Sequence, residues 1–214
     1  MKEKLIHRYS KSEEFLNILT HGLGLMLSIV ALPFLVDRAN EIEKPFSLFS
    51  FIVFGISMII LYAASTFYHA SKEPKLRRKL NIFDHAAIYV LIAGSYTPFT
   101  LVVLKGTLGW AIFGLTWGFA IVGIILKLFY TGKYDKLSTI MYVLMGWQIV
   151  FVIKPLIRNL SSEGMNFLVA GGIFYTIGAI LYSIKKLPYN HAVFHVFVLL
   201  GTLSHFFCVY NYVV

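Results

Sequence analysis

His191 and His195 stand four residues apart at the head of the last apolar run, in the stretch NHAVFHVF. Residues at i and i+4 share one face of a helix, so both imidazoles can reach a single cation. The same spacing occurs in two other pairs, Asn17 with His21 and Ser65 with His69, and Glu14 lies three residues before Asn17. A third imidazole, His69, would complete a three-histidine set, the pattern that holds zinc while leaving a fourth position open. Water at such a position has its pKa lowered towards about 7. Asp84 would hold that water or act as general base. Ser65, one turn from His69, would orient the water or a substrate oxygen. Asn17 and His21 would brace the ligands or tie their helix to the site. His85 is the weaker ligand candidate, because it faces about 100° away from Asp84 on a helix. The bland alternatives are histidines that hydrogen-bond helix to helix, a serine bonded back to its own helix, and a proton relay of Asp and His groups along a membrane path.

What must position these groups is a set of membrane spans. Of the 214 residues, 58% are hydrophobic, 16% aromatic and only 14% charged, with a mean hydropathy of +0.74. A soluble domain runs nearer 45–50% apolar and about 25% charged. A span needs roughly 20 apolar residues. Seven such runs are present, at about 15–36, 46–69, 82–104, 109–130, 138–157, 165–184 and 191–213. The fold class is therefore all-α, a polytopic membrane protein with a seven-transmembrane helix bundle, and residues 1–214 form a single membrane domain. The break at 105–108 is the shortest. The first run is too long for a signal-peptide core and is kept as a span. Gly114 and Gly118 form a GxxxG that permits close helix packing, and Pro98 bends the third run.

Charge sets the orientation. Lys2, Lys4, Arg8 and Lys11 precede the first run, and Lys72, Lys75, Arg77, Arg78 and Lys79 follow the second. Lys127, Lys133 and Lys136 lie in the end region of the fourth, and Lys185 and Lys186 follow the sixth. These are 14 cations on one side, against five on the other: Arg38, Lys44, Lys105, Lys154 and Arg158. The positive-inside rule then puts the N-terminus in the cytoplasm and the C-terminus outside. The net charge of +9 is accounted for by topology, and nucleic acid is not implied as a partner. The lone Cys208 excludes an intrachain disulfide and reads as a small buried hydrophobe. With this topology Glu14, Asn17 and His21, Ser65 and His69, Asp84 and His85, and His191 and His195 all fall at the cytoplasmic ends of four runs. Only His205 lies elsewhere, roughly 15 Å deeper than His195 along its helix.

These motifs in order, Glu14-x2-Asn17-x3-His21, Ser65-x3-His69 followed by Asp84, and His191-x3-His195, resemble those of the bacterial hemolysin III family within the progestin and adipoQ receptor (PAQR) superfamily. The resemblance runs from EFLNILTH at 14–21 to HAVFHVFVLLGTLSHFF at 191–207. It implies direct zinc binding by His69, His191 and His195, with Asp84 contacting the metal through water and Ser65 beside it. It also implies a multi-pass protein of the bacterial plasma membrane, amino terminus inside, with membrane lipids as partners and no protein partner named. The function it implies is a zinc-dependent lipid amide or ester hydrolase, ceramidase-like, acting in membrane lipid homeostasis. The alternatives are a pore-forming cytolysin and a non-catalytic sensor or receptor of membrane state with structural zinc.

Overall fold

The computed structural model describes residues 9–104, 106–130 and 135–214, with Asp135 and Lys136 described by backbone only. Of the charges used for orientation, Lys2, Lys4, Arg8, Lys105 and Lys133 lie outside the described residues. The helices are α1 (Lys11–Ile42), α2 (Ser47–Ala70), α3 (Pro74–Pro98), α4 (Gly106–Tyr130), α5 (Asp135–Gly146), α6 (Ile153–Asn159), α7 (Ser162–Ser183) and α8 (Asn190–Tyr212). Seven helical segments among them are long and apolar enough to cross a membrane. The chain is an all-α, integral, multi-pass membrane protein. Its outward faces carry Phe15, Phe129 and Phe151, each more than 60% exposed, as lipid-facing surfaces must.

The helix ends follow their local chemistry. Ser10 caps α1 by accepting from the Glu13 amide at 3.2 Å, and Ser161 caps α7 by accepting from the Gly164 amide at 3.1 Å. Pro74 opens α3 at a position where a missing N–H costs nothing, behind the Glu73 carboxylate cap. α1 runs several residues past both expected ends, so Glu14 lies within it along with Asn17.

Two spans depart from simple helices. Past Pro98, which has no N–H to give, residues Phe99–Leu104 continue as a buried π-helix. Thr97 and Thr100 hydroxyls donate to the Ala93 and Tyr96 carbonyls there, at 2.8 and 3.0 Å. The fifth span is α5 and α6 joined by a 3-10 stretch, Gln148–Val152. Pro155 falls in the first turn of α6, where helical N–H groups have no intrahelical partner.

α3 is the most buried span, packed between α2 and α4. α1 packs along both α2 and α8, and α7 packs along α8. The GxxxG expectation for α4 is corrected. A side chain at Gly114 or Gly118 would meet nothing, so these glycines serve no close helix approach among the described residues. The glycines that do are Gly109, against the Thr100 carbonyl, and Gly123, against the Tyr89 ring. α4 turns its stripe of Gly109, Thr116, Ala120 and Gly123 inward, and the GxxxG lies on the other side of the helix.

Candidate metal centre

The end of α2 and the start of α8 bring three histidines together. The ligand nitrogens of His69, His191 and His195 lie within 4.8 Å of one another, and all three residues are buried. The Nε2 atoms of His69 and His191 face each other at 3.1 Å. Two nitrogens held at about 2.0–2.1 Å from one tetrahedral zinc would be about 3.3 Å apart, so the pair already has the spacing of two ligands on one ion.

The surroundings fix which nitrogen each ring presents. The Glu14 carboxylate on α1 accepts from His69 Nδ1 at 2.7 Å, which puts the ring proton on Nδ1 and leaves Nε2 as a lone pair. The Asn17 amide lies beside the same Nδ1 at 3.3 Å. Thr20 donates its own proton to the Leu16 carbonyl at 2.8 Å, so its oxygen is free to accept from His195 Nδ1 at 3.4 Å. His195 thus also turns Nε2 inward. His21 lies flat on His195, ring centres 3.4 Å apart and planes 8° apart, with its other side edge-on to Tyr62. It fixes the plane of the His195 ring. Tyr9 stacks on His191 at 4.7 Å and closes the cluster from outside. Burial pushes the Tyr9 phenol above its ordinary range, so it remains a hydrogen-bond donor at neutral pH.

Glu14 has a second partner that the sequence reading counted only as a loop charge. Arg77, near the start of α3, pairs with Glu14 through Nη2. Its Nη1 donates to the carbonyls of Tyr68 and Ser71, each at 3.2 Å, at the end of α2. One guanidinium therefore holds α1, α2 and α3 together directly behind His69. The sequence signal was available: a carboxylate inside a span requires a cation nearby. Thr20 and Tyr9 were missed for a different reason, since neither is ionised near neutral pH and neither carries a motif.

The remaining candidates are placed as follows. Asp84 is 8% exposed and lies on the wall of the cavity that His191 and His195 also line, outside the three-histidine cluster. Its Oδ2 is 3.9 Å from His85 Nδ1, which donates to the Asn81 carbonyl at 2.8 Å. Ser65 is fully buried one turn before His69, and its hydroxyl has no hydrogen-bond partner among the described residues. It is therefore not bonded back to its own helix. His205 is held by α7: its Nε2 donates to the Leu168 carbonyl at 3.2 Å, and Gly171 makes room for its ring. This is a helix-packing role. Cys208 is buried, with Sγ donating to the Gly164 carbonyl at 3.1 Å.

The donor set fits a zinc ion: three neutral nitrogens, two with defined tautomers, and a carboxylate behind one of them. Asn17 Oδ1, Ser65 Oγ and His191 Nδ1 are further buried polar atoms at this end with no partner among the described residues. Beyond the cluster runs a cavity of about 1750 Å³, lined mainly by apolar side chains such as Leu91, Ile92, Phe99, Ile149 and Val198.

These features define a class: a seven-span integral membrane protein with a buried three-histidine cluster, able to hold a metal ion, whose α8 histidines line a large, partly open cavity. The chain belongs to the haemolysin-III-related family, whose family model, "Haemolysin-III related", matches residues 9–206. It is 47% identical over 201 residues to Hemolysin-3 of Bacillus cereus, covering 94% of this chain and 92% of that one. It is 45% identical over 206 residues to the Hemolysin-3 homolog of Bacillus subtilis (strain 168), covering 96% and 97%. The PAQR-type relationship read from the motifs is also found. Identity to the Homo sapiens monocyte to macrophage differentiation factor is 26% over 206 residues, or 94% of this chain and 84% of that protein.

Proposed function

We propose that this protein is a zinc-dependent hydrolase of a membrane lipid amide or ester, with its site at the cytoplasmic end of the bundle. One observation carries the reading: the three-histidine cluster adjoins a mainly apolar cavity large enough for an acyl chain, with Asp84 on the shared wall. A zinc ion held by His69, His191 and His195 would act as Lewis acid on a carbonyl oxygen and make water a better nucleophile near neutral pH. Asp84 would take the proton from the attacking water and return it to the leaving group. Ser65 would hold the substrate oxygen in line. Glu14 and Thr20 would keep the His69 and His195 rings turned so that Nε2 faces the cluster. The orientation follows the positive-inside rule.

The test is lipid mass spectrometry on the purified protein, incubated with bilayer lipids containing amide- and ester-linked chains. Zinc-dependent release of a free acid is expected from the wild type. Asp84→Asn should keep its zinc and lose turnover by about 10²–10⁴-fold, the range for loss of a general base. Product release undiminished in zinc-free His191→Ala protein would overturn the reading.

A second reading comes from the names of two relatives, Hemolysin-3 and Hemolysin-3 homolog. If this chain lyses membranes, dye should leave liposomes on its addition, and the His191→Ala protein should lyse as well as wild type. No dye release from the pure protein would remove this alternative.

A further inference from the structure

His205 lies on the cavity wall away from the metal end, roughly 15 Å beyond His195 along α8. Its Nε2 donates to the Leu168 carbonyl at 3.2 Å, and Gly171 sits against the Nε2–Cδ2 edge of the ring. A carbonyl only accepts, so Nε2 carries the ring proton and Nδ1 of the neutral imidazole is an acceptor. Nδ1 is the ring atom opposite the edge that α7 holds. It is buried and has no hydrogen-bond partner among the described residues. Phe99 and Tyr175 stand edge-on to the ring, with centres 6.5 and 5.4 Å away, and the Tyr175 hydroxyl is already bonded to Thr202 at 2.9 Å. The other polar side chains on this part of the wall are engaged too. Ser95 donates to the Ile92 carbonyl at 2.9 Å and Tyr96 to the Gly146 carbonyl at 2.8 Å. Thr176 donates to the Gly172 carbonyl at 2.7 Å and accepts from Trp147 at 3.2 Å. Packing of α8 on α7 accounts for the Nε2 side of His205. It does not account for a second nitrogen left unpaired among apolar walls, which costs stability unless something donates to it.

We propose that the cavity takes a lipid whose acyl chain carries a hydroxyl group well along its length, and that this hydroxyl donates to His205 Nδ1. The inference rests on the proposed hydrolase and deepens it by naming the chain of its substrate. With the lipid carbonyl at the three-histidine cluster, an extended chain advances about 1.25 Å per carbon, so roughly the twelfth carbon falls level with His205. Leu91, Phe99 and Val198 on the wall suit the methylene groups of such a chain. Only a group with a proton to give can satisfy a bare acceptor. A hydroxyl qualifies, whereas a keto group, an ether or a double bond does not. A plain chain would leave Nδ1 unpaired.

The experiment measures binding of free fatty acids, which have no amide or ester bond to cleave, so it stands apart from turnover. Zinc-loaded, delipidated protein in detergent is titrated with octadecanoate and its 12-hydroxy, 12-oxo and 6-hydroxy derivatives, and bound ligand is counted by native mass spectrometry. Wild type should hold the 12-hydroxy acid about fivefold or more tighter than the other three, the scale of one buried hydrogen bond. His205→Phe keeps a ring beside Gly171 and should remove that preference without weakening octadecanoate. His205→Gln, which can donate to Leu168 and still accept, should retain most of it. If His205→Phe does not fold, 12-methoxyoctadecanoate decides on the wild type: having no proton to give, it should bind no better than octadecanoate. Equal affinity for the 12-hydroxy acid and octadecanoate in wild type, or an unchanged preference in His205→Phe, overturns the proposal. An equal gain for the 6-hydroxy, 12-oxo or 12-methoxy acid would show a general tolerance of polar chains, and overturns the assignment to His205. A chain preference without lipid turnover would leave this site standing and remove the hydrolase, and turnover without a chain preference would do the reverse.

Discussion

Replacing Glu14 by Gln tests whether the carboxylate behind His69 tunes the metal site. Glu14 Oε2 accepts from His69 Nδ1 at 2.7 Å, while Oε1 pairs with Arg77. Glutamine keeps the shape and one acceptor but removes the charge that raises the basicity of Nε2. Losing such a partner typically weakens metal binding about 10–100-fold, which is about 1.4–2.7 kcal/mol. Folding should suffer less, because the Glu14 side chain is 18% exposed and Arg77 keeps the carbonyls of Tyr68 and Ser71. Arg77→Met should show the reverse weighting. It leaves the Ser71 carbonyl without that donor at a cost of about 1–3 kcal/mol, yet leaves the Glu14–His69 bond in place. The assay is zinc affinity by chelator competition, with cobalt substitution to report coordination, beside thermal unfolding of each variant. Glu14→Gln binding zinc within twofold of wild type, or Arg77→Met losing more affinity than Glu14→Gln, would refute the reasoning.

Other outcomes follow from the same geometry. Free zinc at about 100 times its dissociation constant should stabilise the wild type by about 2.7 kcal/mol, and His191→Ala should abolish the shift in a melting experiment. Thr20→Val removes the acceptor for His195 Nδ1 without changing side-chain volume, and should lower zinc affinity in the chelator assay while leaving the helix intact. Gly123→Ala drives a methyl group into the Tyr89 ring and should cost about 1–3 kcal/mol in thermal stability. Gly114→Ala and Gly118→Ala meet open space and should leave the melting temperature unchanged or slightly raised.

Much of the bundle was legible because lipid imposes a strong rule: each span needs a long apolar run and separates itself by charge or turn residues. The three histidines were legible for a related reason. Polar stripes at helical spacing in three runs are too costly to face lipid, and the charge count put them at one depth. The broken fifth span was not legible, since an apolar run reads alike as α-helix or 3-10. Pro98 signalled a disturbance but not its form, a buried π-helix over Phe99–Leu104. The GxxxG misled because the motif says that a helix can be approached closely, not which side its neighbours take. Arg77 was hidden by its position. It sits among five cations between two spans, and only the fold shows that it turns back under α2 while Arg78 does not.

The placement of the three ligands bears on what a bound metal would do. α1 packs along both α2 and α8, while those two helices are not themselves among the closely packed pairs. His69 therefore reaches past α1 to His191, 122 residues away in sequence. A metal at this point would staple the end of α2 to the start of α8, which suits a structural role. Structural zinc sites, however, are almost always closed by four protein ligands, and catalytic ones by three. Among the described residues the cluster has three, and its nearest acidic neighbour, Glu14, is already committed to His69 and Arg77. The α8 pair also lies on the cavity wall instead of being sealed between helices. Stapling and chemistry need not compete: the same ion that ties α2 to α8 would keep its remaining face toward the space in which a lipid chain can lie. The three-ligand count and the adjoining cavity are what weight the balance towards chemistry.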